Sequence, residues 1–346
     1  MLDLAGVTSN ESMSAHTTFG VGGPAEYFFV AKTVPDLVAA VKTARSANLP
    51  LFIFGGGSNL LVADRGVKGL VIKNLTNQIK VLDRQPEAVA LASVSPRFEQ
   101  IKGQKAFPTK QSAYDENQYP AVLADIDSGV KLARAIHQLL SQGVTGLEWF
   151  AGIPATVGGA VYINAHGGPK FISDYLVSAR ILTPQNEEKS VAADYFSFGY
   201  DTSRLKITGD IVLAVTLRLF RGPIDKARGI ATAWARHKAN QPQRSAGCIF
   251  QNLSLADEKR LKLPTSSGGY LIEKVLNLKG SKIGNAQIAD RHAGFIENLG
   301  AATASDVFKL IKLVKDKAKK NLDLNLKLEI VPVGFSDEEL KTINES

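Results

Sequence analysis

The densest chemistry in the sequence lies in two glycine turns. In Phe52-Ile53-Phe54-Gly55-Gly56-Gly57-Ser58-Asn59-Leu60 three successive glycines follow a short apolar run. Such a turn can take positive φ, aim several backbone N–H groups at one anion and present no Cβ to block a pyrophosphate. The segment completes neither Gly-x-Gly-x-x-Gly nor Gly-Lys-Ser/Thr, so a phosphate cradle and a plain tight turn both stay open. In the second turn, Gly152-Ile153-Pro154-Ala155-Thr156-Val157-Gly158-Gly159, the proline stiffens the entry. Its paired glycines let backbone lie against a flat ring or a phosphate, ahead of a predicted strand carrying Asn164. Together the two turns suit an extended dinucleotide; either alone is only a turn.

Two further side chains are suited to moving protons. Cys248 is the single cysteine. A thiol with a reference pKa of about 8.5 is mostly protonated near neutrality and is a better acid than a hydroxyl, although a lone cysteine is commonly a small buried hydrophobe. Glu329 stands among Leu328, Ile330 and Val331, apolar neighbours of the kind that raise a carboxyl pKa; alone it reads rather as an edge-strand surface carboxylate. The five histidines show no metal-ligand spacing with the acids or the cysteine, so no metal is expected.

The elements that must position these residues read as mixed helix and sheet. Residues 25–31 form an aromatic and β-branched strand, 35–47 carry helical periodicity through Leu37, Val38, Val41 and Ala44, and 51–54 form a buried strand. Residues 67–73 and 89–93 continue with strand patterns, 130–142 return to helical spacing, and 177–182 and 211–220 alternate like sheet strands. Residues 84–120, punctuated by Pro86, Pro96, Pro108 and Pro120, read as an inserted excursion. Its Tyr114 and Tyr119 either cover a ligand or pack a surface loop. A boundary to a last domain is expected near Arg221-Gly222-Pro223. Beyond it, Thr303-x-x-Asp306 has the form of a capping box, and Val307, Leu310, Ile311, Val314 and Ala318 make the apolar stripe of a helix. Residues 322–333 read as a closing strand. No internal repeat or low-complexity tract is present.

Composition narrows the class. The chain has 346 residues, 45% hydrophobic and 21% charged, with a formal net charge of +8, which is globular and long enough for about two domains. No stretch approaches the roughly 20 apolar residues of a membrane span. A single cysteine and an opening without a signal-peptide pattern point to the cytoplasm. The positive balance fits anionic small molecules or a nucleic acid. Much of it falls on Lys309, Lys312, Lys315, Lys317, Lys319 and Lys320, read as the solvated face of the last helix. No nucleic-acid module is discernible.

Five motifs in order carry a resemblance: 16–25 (His-Thr-Thr-Phe-Gly-Val-Gly-Gly-Pro-Ala), Gly55-Gly-Gly-Ser-Asn59, Gly146-Leu-Glu-Trp-Phe-Ala-Gly-Ile-Pro154, Ser245-Ala-Gly-Cys-Ile-Phe250, and Gly280-x-x-x-Gly284-x-Ala286 through His292-Ala-Gly-Phe-Ile296. Over residues 15–82 and 121–334 the chain resembles the UDP-N-acetylenolpyruvoylglucosamine reductase family. The resemblance implies an α+β architecture: a two-lobed FAD-binding domain of the vanillyl-alcohol-oxidase type, followed by a smaller α+β substrate-binding domain. Its parts would be residues 1–83 and 121–222 for the two lobes, 84–120 for the inserted loop and 223–346 for the substrate domain. It further implies NADPH as hydride donor, UDP-N-acetylglucosamine enolpyruvate as substrate in peptidoglycan precursor synthesis, no nucleic-acid or membrane partner, and a monomer. In that family hydride reaches the enolpyruvyl carbon farther from the sugar ether, and the adjacent carbon is protonated.

Carried over residue by residue, the resemblance implies FAD at Phe54, Gly55, Gly56, Gly57, Ser58, Asn59 and Leu60, and at Gly152, Ile153, Pro154, Thr156, Gly158, Gly159 and Asn164. Cys248 stands where the family usually has the proton-donating serine, and Glu329 matches its glutamate near the C-terminus. Gln251, Asn252, Gln287 and His292 fall on the substrate side, with Gln251 replacing the usual lysine and His292 a structural motif residue rather than a base. Gly20 and Ala155 are milder departures, at positions where members often have arginine and glycine. The main departure is Phe198-Gly-Tyr-Asp-Thr-Ser-Arg204 in place of Phe-Gly-Tyr-Arg-Asp-Ser. Asp201 cannot supply the arginine's charge; Tyr200 is retained, and Arg204 is the candidate to replace the arginine or is a solvated side chain. Two other readings follow from this gap: a related FAD-dependent oxidoreductase acting on a small alcohol or lactone, and a flavin- or nucleotide-binding homologue of weakened activity. The 245–250 and 280–296 motifs weigh against the first, and retention of Cys248 and Glu329 against the second.

Overall fold

The computed structural model describes residues 2, 4–82 and 114–344. The strand expected at 89–93, and nearly all of the 84–120 excursion, lie outside the described residues. The chain forms two compact units, one of residues 1–6, 29–55 and 72–240, the other of residues 7–28, 56–71 and 241–346. This division differs from the linear one expected. The strands Pro24–Ala31 and Val67–Asn74 each contain a crossing point, and the Gly55-Gly56 bond is another. The reason is tertiary: Phe19, Val21 and Leu61 are buried in the core of the second unit, and local sequence pattern does not report that. The late boundary also moves, from 221–223 to 240–241. Pro223 caps the helix Ile224–Ala239, whose Ala227, Ile230 and Trp234 belong to the core of the first unit.

In the first unit the strands Ile79–Leu82, Ala121–Asp127, Ile211–Phe220, Leu176–Leu182 and Glu188–Ala192 lie side by side in that order, each pair antiparallel. Val215, Leu217 and Leu219 join Ile136 and Leu139 of the helix Leu132–Ser141, and Ala160 and Val161 of the helix Val157–Ile163, in one core. The helix Val34–Ser46 starts at a capping box: Asp36 N donates to Thr33 Oγ1 at 3.2 Å while Thr33 N donates to the Asp36 carboxylate at 3.0 Å. Pro35 in its first turn gives up an N–H that has no helical partner there. The strand expected to carry Asn164 is instead the helix Val157–Ile163, and Asn164 ends it with φ +51. A seven-residue apolar run is too short for its period to separate helix from strand, and Thr156 decides it by accepting from Gly159 N at 3.2 Å.

In the second unit the strands Lys282–Ile283, Ala286–Ile288 and Ile296–Asn298 form an antiparallel sheet. The helix Ala304–Leu322 buries Val307, Leu310, Ile311, Val314 and Ala318, as its spacing predicts. Thr303 and Asp306 make the expected capping box at 3.0 and 3.1 Å, and the Asp64 carboxylate adds bonds from Ala304 N and Ser305 N at 2.8 and 2.9 Å. Lys315 departs from the solvated lysine face: it is 2% exposed, because it shares the inward stripe with Ile311 and Val314. The expected closing strand shortens to Val331–Val333, parallel to Leu60–Val62, with an isolated bridge at Leu328.

Candidate functional site

The two glycine turns have different reasons for glycine. At Gly55 the cause is close approach, since a Cβ would stand 2.4 Å from Thr156 Oγ1 of the same unit. At Gly57 φ is +67 and a Cβ would meet the His16 carbonyl oxygen at 2.0 Å, so no L side chain fits without backbone movement. Thr18 N donates to Gly57 O at 3.1 Å and fixes the turn. Among the described residues, the N–H groups of Gly56, Gly57, Ser58 and Asn59 donate to no backbone carbonyl, which leaves a run of donors for an anionic group. Phe54 and Leu60 are buried at the two ends of the turn. In the second turn Gly152 has φ +80 and Ile153 N donates to Phe150 O at 3.1 Å, ahead of Pro154. Gly158 N bonds Ser128 O at 2.8 Å. Asn164 is fully buried, with Nδ2 donating to Gly199 O at 2.9 Å and Oδ1 accepting from Ser173 N at 3.3 Å, so it ties the helix end to the 198–204 loop.

Cys248 and Glu329 are brought together through backbone. Residues 248–251 run between two other segments: Cys248 bridges Phe295, Ile249 N donates to Gly294 O at 2.9 Å, and Phe250 bridges Leu328. Glu329 N donates to Ile249 O at 2.9 Å, one residue from Cys248, and Gln251 N donates to Lys327 O at 2.9 Å. Asn59 Nδ2 donates to Glu329 O at 3.1 Å and Val331 N to Asn59 O at 2.9 Å, so the end of the first glycine turn and the Glu329 backbone share one hydrogen-bonded patch. On the same unit Asn252 Oδ1 accepts from Gly268 N at 3.4 Å and Gln287 Nε2 donates to Asp290 at 3.0 Å. His292 Nδ1 accepts from Gly294 N at 3.1 Å, and its ring stands edge-on to Phe295 with centroids 4.9 Å apart.

The 198–204 stretch is arranged around burial rather than charge. Asp201 has φ +49 and a side chain 6% exposed, and its Oδ2 has no hydrogen-bond partner among the described residues. Its Oδ1 lies 4.0 Å from His166 Nδ1, and the His166 and Tyr200 rings are 5.9 Å apart. Desolvation pushes the Asp201 carboxyl up to about 6 against the opposing pull of Lys206, and desolvation, with Lys238 adding to it, pulls His166 down to about 4. Arg204 is exposed, its guanidinium 4.6 Å from the Tyr195 ring centroid.

Residues 239–333 match the C-terminal domain of UDP-N-acetylenolpyruvoylglucosamine reductase, and residues 25–95 and 114–191 match the FAD binding domain family. The UDP-N-acetylenolpyruvoylglucosamine reductase of Lachnoclostridium phytofermentans is 30% identical over 334 residues, covering 95% of this chain and 93% of that protein. That of Clostridium kluyveri is 31% identical over 337 residues, covering 96% and 95%. The chain belongs to the UDP-N-acetylenolpyruvoylglucosamine reductase family. The crystal structure of the Thermus caldophilus reductase superposes with a TM-score of 0.67 at 29% identity, covering 93% of this chain and 97% of that one. Membership makes this chain an FAD-dependent oxidoreductase, and the glycine turn at 55–59 with its undonated N–H groups fits the pyrophosphate of that cofactor. Among the described residues no helix is long and apolar enough to cross a membrane, and no cluster of His, Cys, Asp and Glu is suited to a metal.

The first unit also holds a buried carboxylate pair that no sequence motif marks as a pair. Glu116, 5% exposed, accepts from Tyr175 Oη and Lys170 Nζ, both at 2.8 Å. Glu148, 1% exposed, accepts from Gly146 N at 2.6 Å and from Tyr114 Oη. Burial raises the Glu148 carboxyl, and its hydrogen bonds oppose that. Tyr114 therefore packs inward on this carboxylate, half-buried. The available signal was Glu148 itself, inside the Gly146–Pro154 motif; its partner 34 residues earlier carries no local mark.

Proposed function

We propose that this chain reduces UDP-N-acetylglucosamine enolpyruvate to UDP-N-acetylmuramate in peptidoglycan precursor synthesis, using NADPH, and acts as a cytoplasmic monomer. The observation that supports the reading is the hydrogen-bonded patch of residues 248–251, 327–331 and Asn59, which joins the backbone beside Cys248 to that of Glu329, the two residues that fall on the family's proton-donor and glutamate motif positions. FAD, when bound, supplies the hydride that NADPH delivers to it. The chain's own task is then the proton and the charge. Cys248 gives its Sγ proton to the carbon next to the one that takes hydride, so the alkene gains one hydride and one proton. Glu329 orients the thiol or polarises the enolpyruvyl group. Gln251, Asn252 and Gln287 offer amides to the sugar nucleotide. Tyr200 hydrogen-bonds the substrate, and Arg204 supplies the cation that Asp201 does not.

The test is a visible spectrum followed by two oxygen-free additions. Bleaching by NADPH and recovery on UDP-N-acetylglucosamine enolpyruvate support the reading; recovery absent at saturating substrate rejects the substrate. Bleaching without recovery is the outcome expected of the second reading, an oxidoreductase of altered substrate, which the buried acid at Asp201 favours. Arg204→Ala lowers turnover on the order of 10²-fold if Arg204 stabilises developing charge, and unchanged turnover removes it from the site.

A further inference from the structure

Lys315 is the only buried lysine or arginine among the described residues. It lies on the inward face of the helix Ala304–Leu322 with Ile311, Val314 and Ala318. An ammonium there is costly to desolvate, and a methionine or leucine would pack the same space. Burial pulls Lys315 down to about 8, and the neighbouring Asp316 opposes this only in part. The bonds it makes are specific. Nζ donates to Asn325 Oδ1 at 2.9 Å and to the Leu326 carbonyl at 2.5 Å. Those residues follow the left-handed helix end at Asp323, φ +46, and lead directly into the segment that carries Glu329. From Leu326 the bonded chain continues: Lys327 O takes Gln251 N, Leu328 bridges Phe250, Glu329 N bonds Ile249 O, and Glu329 O takes Asn59 Nδ2.

We propose that Lys315 is a positioning residue for substrate protonation: its two hydrogen bonds anchor the 325–326 turn and thereby set where the Glu329 backbone crosses residues 248–250. A neutral side chain of equal length fills the volume but cannot direct two donors at once. A displacement of about 1 Å in such a segment is enough to cost up to about 10²-fold in rate. The proposal rests on the reduction assigned above to Cys248 and Glu329.

Lys315→Met is compared with the wild-type holoenzyme in the two oxygen-free half-reactions. Recovery on the enolpyruvyl substrate is expected to slow by about 10- to 100-fold, while bleaching by NADPH and the flavin spectrum stay unchanged. Amide exchange over residues 327–331, read without any ligand, rises in the same variant. Asn325→Ala removes one acceptor at an exposed position and slows recovery in the same sense by a smaller factor; it carries the test if Lys315→Met does not fold. Recovery at the wild-type rate in both variants overturns the proposal, and so does equal slowing of both half-reactions, the mark of a merely structural loss. A wild-type protein that never recovers on this substrate overturns the functional reading, and is recognised before any variant is made.

Discussion

The role proposed for Cys248 is to give up one acidic proton, which a thiol releases more readily than a hydroxyl does. Cys248→Ser is expected to keep most turnover and lose sensitivity to alkylating reagents, whereas Cys248→Ala keeps NADPH bleaching and loses substrate turnover. Normal turnover of Cys248→Ala would end the proton-donor assignment. Asp201 poses a different problem, because its carboxyl is buried with one oxygen unanswered among the described residues. Folded Asp201 holds its proton more tightly than the unfolded chain does, since its pKa rises from 3.8 to about 6. The folded state therefore loses stability as pH climbs through that window and does not regain it above. Asn keeps the shape, tolerates the left-handed φ and has no charge to bury. Asp201→Asn should raise the unfolding free energy at pH 8 by about 1–3 kcal/mol, and by little at pH 4. His166, whose depressed pKa of about 4 matters only below its ordinary 6.5, does not disturb the pH 8 comparison. A denaturant midpoint at pH 8 that does not move would reject the burial penalty.

The elements that hold these residues were legible where their signals are local. The Thr303 capping box and the 307–318 stripe predict the last long helix, and the 24–54 strand, helix, strand order follows from periodicity and Pro35. Lys315 shows where residue type misleads. Its spacing from Ile311 already put it on the apolar stripe, and only its charge argued for solvent. The 157–163 helix was hidden by its brevity and its glycine pair, and Glu148 by a partner distant in sequence. The segment Gly146–Pro154 accordingly depends on a bond from outside it, which Tyr114→Phe tests. With the Tyr114 hydroxyl gone, the buried Glu148 carboxylate keeps the Gly146 N–H but loses its side-chain donor. The expected loss is about 1–3 kcal/mol at pH 7. Because burial raises the Glu148 pKa, the loss should shrink as pH falls and the carboxyl takes up a proton. A midpoint unchanged at pH 7 would mean that backbone N–H groups satisfy Glu148 without Tyr114.

For the whole molecule, each unit carries its own hydrophobic core, one including Ile136, Val161 and Leu217, the other Leu61, Ile311 and Val314. Which unit a residue joins is decided by burial across long sequence separations, and that is why a linear reading of the chain placed the domains differently. The net charge of +8 suits a protein whose cofactor, reductant and substrate all carry phosphates. A ligand that binds only the folded protein stabilises it by mass action, so FAD at 100 times its dissociation constant is worth about 2.7 kcal/mol. Stripping FAD should therefore lower the midpoint of thermal unfolding by a few degrees, and adding it back should raise the midpoint in proportion to the logarithm of its concentration. Gly57→Ala strains a position with φ +67 and drives a Cβ into the His16 carbonyl, so that variant should lower the starting midpoint and flatten the response to FAD. A Gly57→Ala protein that keeps the full FAD-dependent shift would take the 55–59 turn out of the cofactor site, leaving it as a structural corner between the strands Leu51–Phe54 and Leu60–Val62.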